Sequence, residues 1–134
     1  MIRKIASGSP WEPVVGYSRA VAAGDYIFVS GCTSTDAGGL VHAGDAAAQA
    51  AQAIVNLRDA LERLGAGLAD VVRTRMFVTD IARWEEYGAA HRAAFAAAMP
   101  AATMVEVAAL VDPRMLIEIE AVAYRPGAGG TAAR

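Results

Sequence analysis

Two carboxylates two residues apart inside an apolar run are the most chemically promising feature of this chain, in Leu116-Ile117-Glu118-Ile119-Glu120-Ala121-Val122-Ala123. Strand side chains alternate between faces, which puts Glu118, Glu120, Val122 and Tyr124 on one side and Ile117, Ile119, Ala121 and Ala123 on the other. One face is therefore core, and the other is wet or lines a cavity. A cavity would raise the pKa of a carboxyl group by desolvation, which suits a general acid or base near neutral pH. A strand with one solvated face would give the same pattern without any chemistry. Tyr17 could orient a ligand through its hydroxyl or pack at an interface. Cys32 follows Gly31 and either touches a cleft or serves as a small apolar residue. His42 and His91 have no partners at metal-ligand spacing and read as structural or solvated. Trp11 and Trp84 read as packing residues, and the segment with Trp11 and Pro13, just before Tyr17, could form a lid.

Whatever positions these groups must come from one domain, since 134 residues suffice for one core and not for two. Hydrophobic residues make up 55% of the chain, above the roughly 45 to 50% usual for a soluble domain. That excess predicts surface buried against copies of the same chain. A net charge of −2 without a lysine or arginine cluster argues against a nucleic-acid partner. A single cysteine excludes an internal disulfide. No apolar run reaches membrane-spanning length, and the N-terminus lacks a signal-peptide pattern, so a cytoplasmic protein with no membrane partner is expected. No phosphate-cradling glycine loop, nucleophile elbow or zinc signature occurs, so no cofactor or metal is implied.

Ala23-Gly24 marks a hairpin between strands at 15–22 and 25–30. Asp45 caps a helix to about Leu64, with Ala50, Ile54, Leu57, Leu61 and Leu64 on one stripe and Gly65 as its stop. Residues 69–78 read as a strand with Val72, Thr74, Met76 and Val78 on one face and Arg73, Arg75 and Phe77 on the other. A second helix starts at Thr79 or Asp80 and ends before Pro100. Strands at 103–110 and 115–124 follow, joined by a turn around Asp112-Pro113. The expected class is α+β, a mixed sheet with both helices on one face, as a single domain over 1–125. Residues 126–134 are expected to be a disordered tail.

Several of these segments, in this order, resemble the Rid or YjgF family of enamine/imine deaminases. They are Gly16-Tyr17-Ser18-Arg19-Ala20-Val21, Ile27-Phe28-Val29-Ser30-Gly31, Gly44-Asp45, Val71-Val72-Arg73-Thr74 with Phe77-Val78-Thr79-Asp80, Pro100-Ala101 with Val105-Glu106-Val107-Ala108, and Ile117-Glu118-Ile119-Glu120-Ala121. The resemblance implies the YjgF/chorismate-mutase-like fold, assembled as a homotrimer with a central barrel and clefts between subunits. It also implies a site in which Tyr17, Gly31 and Glu120 match the family's tyrosine, glycine and final-strand glutamate.

In the family motif Pro-Ala-Arg, the arginine holds a substrate carboxylate. Here the sequence is Pro100-Ala101-Ala102-Thr103-Met104. Arginine offers a planar fork for two charge-assisted hydrogen bonds and alanine offers none. The loss is worth about 1.5 to 3 kcal/mol per hydrogen bond. Arg75 could replace that charge, or it could pair with Glu106, Glu118 or Glu120. The expected substrate-binding set is therefore Arg75, Ala102, Thr103, Met104 and Cys32. The expected function is a small-molecule enamine/imine deaminase-like hydrolase or tautomerase. A noncatalytic metabolite-binding or regulatory trimer is the alternative, and an endoribonuclease ranks third.

Overall fold

The computed structural model of the chain describes residues 1–130. Gly24 has φ +61°, a conformation that side chains disfavour, and it lets the chain reverse between β2 (Ala20–Ala23) and β3 (Tyr26–Cys32) with Ala23 opposite Tyr26. The hairpin falls where the sequence places it, but its first strand is shorter. Residues Trp11–Val15 form a short helix, α1, instead of beginning the strand at 15. Gly16, at φ +89°, ends that helix and turns the chain toward the sheet.

The sheet has six strands. β1 (Ile2–Ile5) lies outside β2, and β3 pairs on its other side with β8 (Ile117–Tyr124). Then come β6 (Val71–Val78) and the edge strand β7 (Ala101–Glu106). All pairings are antiparallel except β6 with β7. The last two strands are therefore not partners across the Asp112-Pro113 turn, because β6 lies between them. A small separate hairpin joins β4 (Thr35–Asp36) to β5 (Gly39–Leu40).

Asp45 caps α2 (Ala46–Arg63), accepting from the Ala48 N–H at 3.0 Å, and Gly65 follows its end at φ +81°. The predicted stripe of Ala50, Ile54, Leu57, Leu61 and Leu64 is buried. The second helix begins as one 3-10 turn, Ile81–Arg83, capped by Asp80, and continues as α3 (Trp84–Phe95). Both long helices cover the sheet face that carries Ile27, Val29, Met76, Val78, Ile117 and Ile119. No helix among the described residues is long and apolar enough to cross a membrane.

Two one-residue bulges set which side chains face which way. In β6 the register shifts between Val71 and Arg73, so Val71 is buried and Val72 is exposed, the reverse of the strict alternation expected from the sequence. In β3 the shift lies between Val29 and Cys32, opposite β8. On the face without helices, Tyr26, Phe28, Val72, Val105 and Tyr124 are each 42–49% exposed. Trp11 and Trp84, expected to be packing residues, are 43% and 56% exposed. Of the tail expected to be disordered, residues 126–130 make a turn that docks on the β2–β3 hairpin. The Gly129 N–H donates to Gly24 O at 2.8 Å and Ala128 is buried. Residues 131–134 lie outside the described residues.

Two polar anchors tie helix to sheet. Gln49 is fully buried and uses its amide three ways: it donates to His42 O and Arg114 O and accepts from the Leu116 N–H at 2.8 Å. It thereby fixes where β8 begins. Replacing Gln49 with leucine strands Arg114 O and the Leu116 N–H, at about 1 to 3 kcal/mol for each left unpaired, while His42 O keeps the Asp45 N–H. We expect a drop of at least about 2 kcal/mol in unfolding free energy by urea denaturation. A drop below 0.5 kcal/mol would contradict this role. Thr74 Oγ1 and His91 Nε2 lie 2.9 Å apart, and burial pushes the His91 pKa below its usual 6.5. The unfolded chain then takes up the proton first, so stability should be full above pH 6.5 and decline as pH falls through that value toward the folded pKa. Urea midpoints recorded between pH 7.5 and 5 should show this decline, and the slope should flatten in His91→Asn.

Candidate active site

The bulge in β3 is where the site begins. Val29 pairs with Ala121 and Cys32 with Ile119, so Ser30 and Gly31 together oppose Glu120. The extra residue has two consequences. Cys32 turns into the helix-side core, 2% exposed, with Sγ against Ser30 O at 3.4 Å. Burial pushes its thiol pKa up, an effect the nearby Arg19 charge partly offsets. Cys32 is thus part of the buried core. Gly31 is left bare on the opposite side, directly beneath Glu118.

That contact defines the glycine. A Cβ at position 31 would overlap the Glu118 carboxyl group, lying 2.6 Å from Cδ and 2.8 Å from Cγ. No side chain fits there without moving the carboxylate. Gly31, Glu118 and Glu120 line an open concavity of about 340 Å³, walled by Phe77 and by Val107, Ala109 and Leu110 of the loop after β7. Among the described residues no donor hydrogen-bonds to Glu118. Desolvation raises its pKa, Arg19 partly counters this, and Glu120 adds to it.

The sequence reading assigned the family's glutamate to Glu120, but the structure puts Glu118 over Gly31. Glu120 lies beside it and across the sheet from Arg75, with which it forms an ion pair at 3.7 Å. Arg75 is thus engaged with a carboxylate, and at about half exposure that pair is weak. Ala102 pairs with Thr74, a residue buried on the helix side, and does not line the concavity. Met104 packs against the same core, and Thr103 accepts a hydrogen bond from Arg73. The expected binding set is therefore not assembled within one chain. The two histidines also lie elsewhere, His42 in the loop before α2 and His91 against Phe95.

Sequence reasoning missed Arg19 and Glu12. Arg19 is only 9% exposed, although it lies between the site's tyrosine and glycine. One guanidinium nitrogen donates to Gly31 O at 2.6 Å and approaches Ser30 O at 3.3 Å, while the other donates to the Tyr17 hydroxyl oxygen at 3.2 Å. Its Nε is buried without a hydrogen-bond partner, 3.8 Å from the Glu12 carboxylate. Burial works to raise the Glu12 pKa. Hydrogen bonds from the Ser7 hydroxyl and backbone, together with the Arg19 charge, outweigh it, and the net shift is downward. Tyr17 lines a second groove with Lys4, Ser18 and Val21. The available signal was an arginine at the entrance of an apolar strand, where a charge needs a partner.

If Gly31 is there to leave room for Glu118, Gly31→Ala should fold with a melting temperature within a few degrees of wild type, yet displace the carboxylate. Crystallography of that variant would show the Glu118 side chain in a different rotamer, and an unmoved carboxylate would refute the steric argument.

The model of the family described as Endoribonuclease L-PSP matches residues 8–125. The 2-iminobutanoate/2-iminopropanoate deaminase of Salmonella typhimurium is 33% identical over 128 residues, covering 93% of this chain and 99% of that protein. The 3-aminoacrylate deaminase RutC of Acinetobacter baylyi is 33% identical over 121 residues, covering 90% and 94%. The crystal structure of Rv2704 from Mycobacterium tuberculosis, described as a member of the YjgF/YER057c/UK114 family, is 47% identical and superposes with a TM-score of 0.85 over 92% of this chain and 99% of that one. The matched span takes in Tyr17, Gly31 and both strand glutamates, and with it the chain belongs to the Endoribonuclease L-PSP family, the YjgF/Rid family that its motifs resemble.

Proposed function

We propose that the chain is a small-molecule enamine/imine deaminase-like hydrolase, with Glu118 as its general base and acid. The observation that carries this is the half-buried Glu118 carboxylate held over a bare glycine, with no donor to its oxygens among the described residues and its pKa raised by desolvation. Desolvation that raises a carboxyl pKa makes the ionised carboxylate a stronger base toward water.

In the reaction an enamine gains a proton at carbon to become an iminium ion. Glu118 takes a proton from water as the oxygen bonds to the iminium carbon, giving a neutral amino alcohol. Glu118 then passes that proton to nitrogen, the C–N bond breaks as the hydroxyl proton returns to Glu118, and a carbonyl compound and ammonia leave, with the proton on Glu118 released to solvent in place of the one taken up at carbon. No electron transfer is needed and no cofactor is invoked. The deaminase names of two relatives that cover nearly their whole length support this reading.

Assembly as a homotrimer belongs to the same proposal. A sheet face with five half-exposed apolar or aromatic side chains, bordered by the edge strand β7, is suited to burial against neighbouring copies. Light scattering should give three times the mass of the chain. The family description supports a second reading, RNA cleavage. It would be favoured if purified protein cut single-stranded RNA and Glu118→Gln abolished the cutting.

The principal test is ammonia release from imines generated in place by an amino-acid oxidase. Wild type should accelerate release, Glu118→Gln should lose about 10²-fold or more, and Glu120→Gln should lose less than 10-fold. The rate should fall at low pH with an apparent pKa above the usual glutamate value of 4.5, because the base must be ionised. Full activity in Glu118→Gln would rule out the assignment.

A further inference from the structure

We propose that Arg19, oriented by Glu12, is a positioning residue of this site: it aims the Tyr17 hydroxyl and fixes the Gly31 peptide under Glu118. The proposal rests on the hydrolase reading and adds to it a pair of residues that do not touch the substrate. The geometry is specific. A guanidinium carries five N–H donors in a rigid plane. Here one end of that plane holds the carbonyl oxygens of Gly31 and Ser30, at the bulge, and the other end donates to the Tyr17 oxygen. Tyr17 and Gly31 sit on separate segments, α1's exit and β3, and Arg19 is the side chain that touches both.

The direction of the hydrogen bond to Tyr17 matters. Arg19 is the donor and the phenol oxygen the acceptor, so the tyrosine's own proton remains free to be given to a ligand atom. Tyr17, which lines the neighbouring groove, is thereby left with a hydroxyl proton to give, at the end of the guanidinium opposite the one that holds the Gly31 carbonyl. At the other end, the pull on Gly31 O holds the bulge in the register that leaves its Cα bare beneath Glu118. The guanidinium also places positive charge behind the carboxylate. The charged and titratable groups around Glu118 are Arg19, Glu120 with its partner Arg75, and the Cys32 thiol.

A purely structural role explains this arrangement less well. Buried ion pairs are poor stabilisers compared with packed apolar residues of similar volume. This one is imperfect as a stabiliser, with Nε at 3.8 Å from Glu12 and lacking a hydrogen bond. Its good contacts are the ones made to Tyr17 and Gly31.

The test compares wild type, Arg19→Lys, Arg19→Gln and Glu12→Gln by two readouts, with circular dichroism confirming which variants fold. The first is a carbon-detected NMR titration of the Glu118 carboxyl, which needs no catalytic activity. Arg19→Gln should move its pKa upward, and Arg19→Lys, which keeps the charge, should restore it toward wild type. The second is the kinetics of ammonia release. Arg19→Gln should lower kcat at least 10-fold with KM changed less than 3-fold, Arg19→Lys should recover part of kcat, and Glu12→Gln should fall between them. Unchanged Glu118 titration in a folded Arg19→Gln would overturn the proposal, as would kcat retained within 2-fold. If wild type releases no ammonia, the hydrolase reading fails on its own, and the Glu118 titration still decides whether Arg19 governs this carboxylate. Should Arg19→Gln not fold, the milder Glu12→Gln and Arg19→Lys carry both readouts, and wild-type values in both would overturn the proposal.

Discussion

One extra residue in β3 organises everything around it. Without the bulge at Ser30-Gly31, strand alternation would send position 31 into the core and Cys32 to the open face. With it, an apolar side chain goes inward and a glycine comes to the surface opposite two glutamates. Bulges next to active sites commonly re-aim a backbone in this way. Here the displaced peptide is held by a buried arginine and covered by a carboxylate, so the irregularity is fixed from both sides.

The rest of the fold serves to hold that point still. α2 and α3 clamp one sheet face, and Gln49 ties the first turns of α2 to the residues that lead into β8, so the height of Glu118 along the sheet is set by a fully satisfied buried amide. The opposite face is left with carboxylates, an arginine pair and half-exposed aromatic side chains. The proposed trimer would cover this face, and with it the concavity over Gly31. On the edge strand β7, Ala102 pairs with Thr74 and so falls on the helix-side face, away from Glu118.

Much of this was legible in the residues. The stripe of α2, its cap at Asp45, the hairpin at Gly24 and the two faces of β8 follow from periodicity and turn chemistry, because each is a local property. Which of Glu118 and Glu120 lies over Gly31 was not legible. Both lie on one face of one strand, and only the register of β3 against β8 selects between them. That register is a long-range property set by a bulge with no distinctive residue code. The same bulge hid the inward turn of Cys32, and its counterpart in β6 exchanged Val71 for Val72. Arg19 escaped notice because its partners, Glu12 and the carbonyls of Ser30 and Gly31, come from segments whose proximity the sequence does not encode locally. Arg75 resolved into the ion pair with Glu120 that its position allowed.

The central claim is that chemistry occurs on Glu118 above Gly31. The most direct measurement is a crystal structure of the assembled protein with 2-oxobutanoate, the keto product that a 2-iminobutanoate deaminase would form. The account predicts the ketone carbon seated over Gly31, with its oxygen or an intervening water within hydrogen-bond distance of Glu118. A molecule bound in the groove beside Lys4 and Ser18, with the space over Gly31 left to solvent, would contradict it.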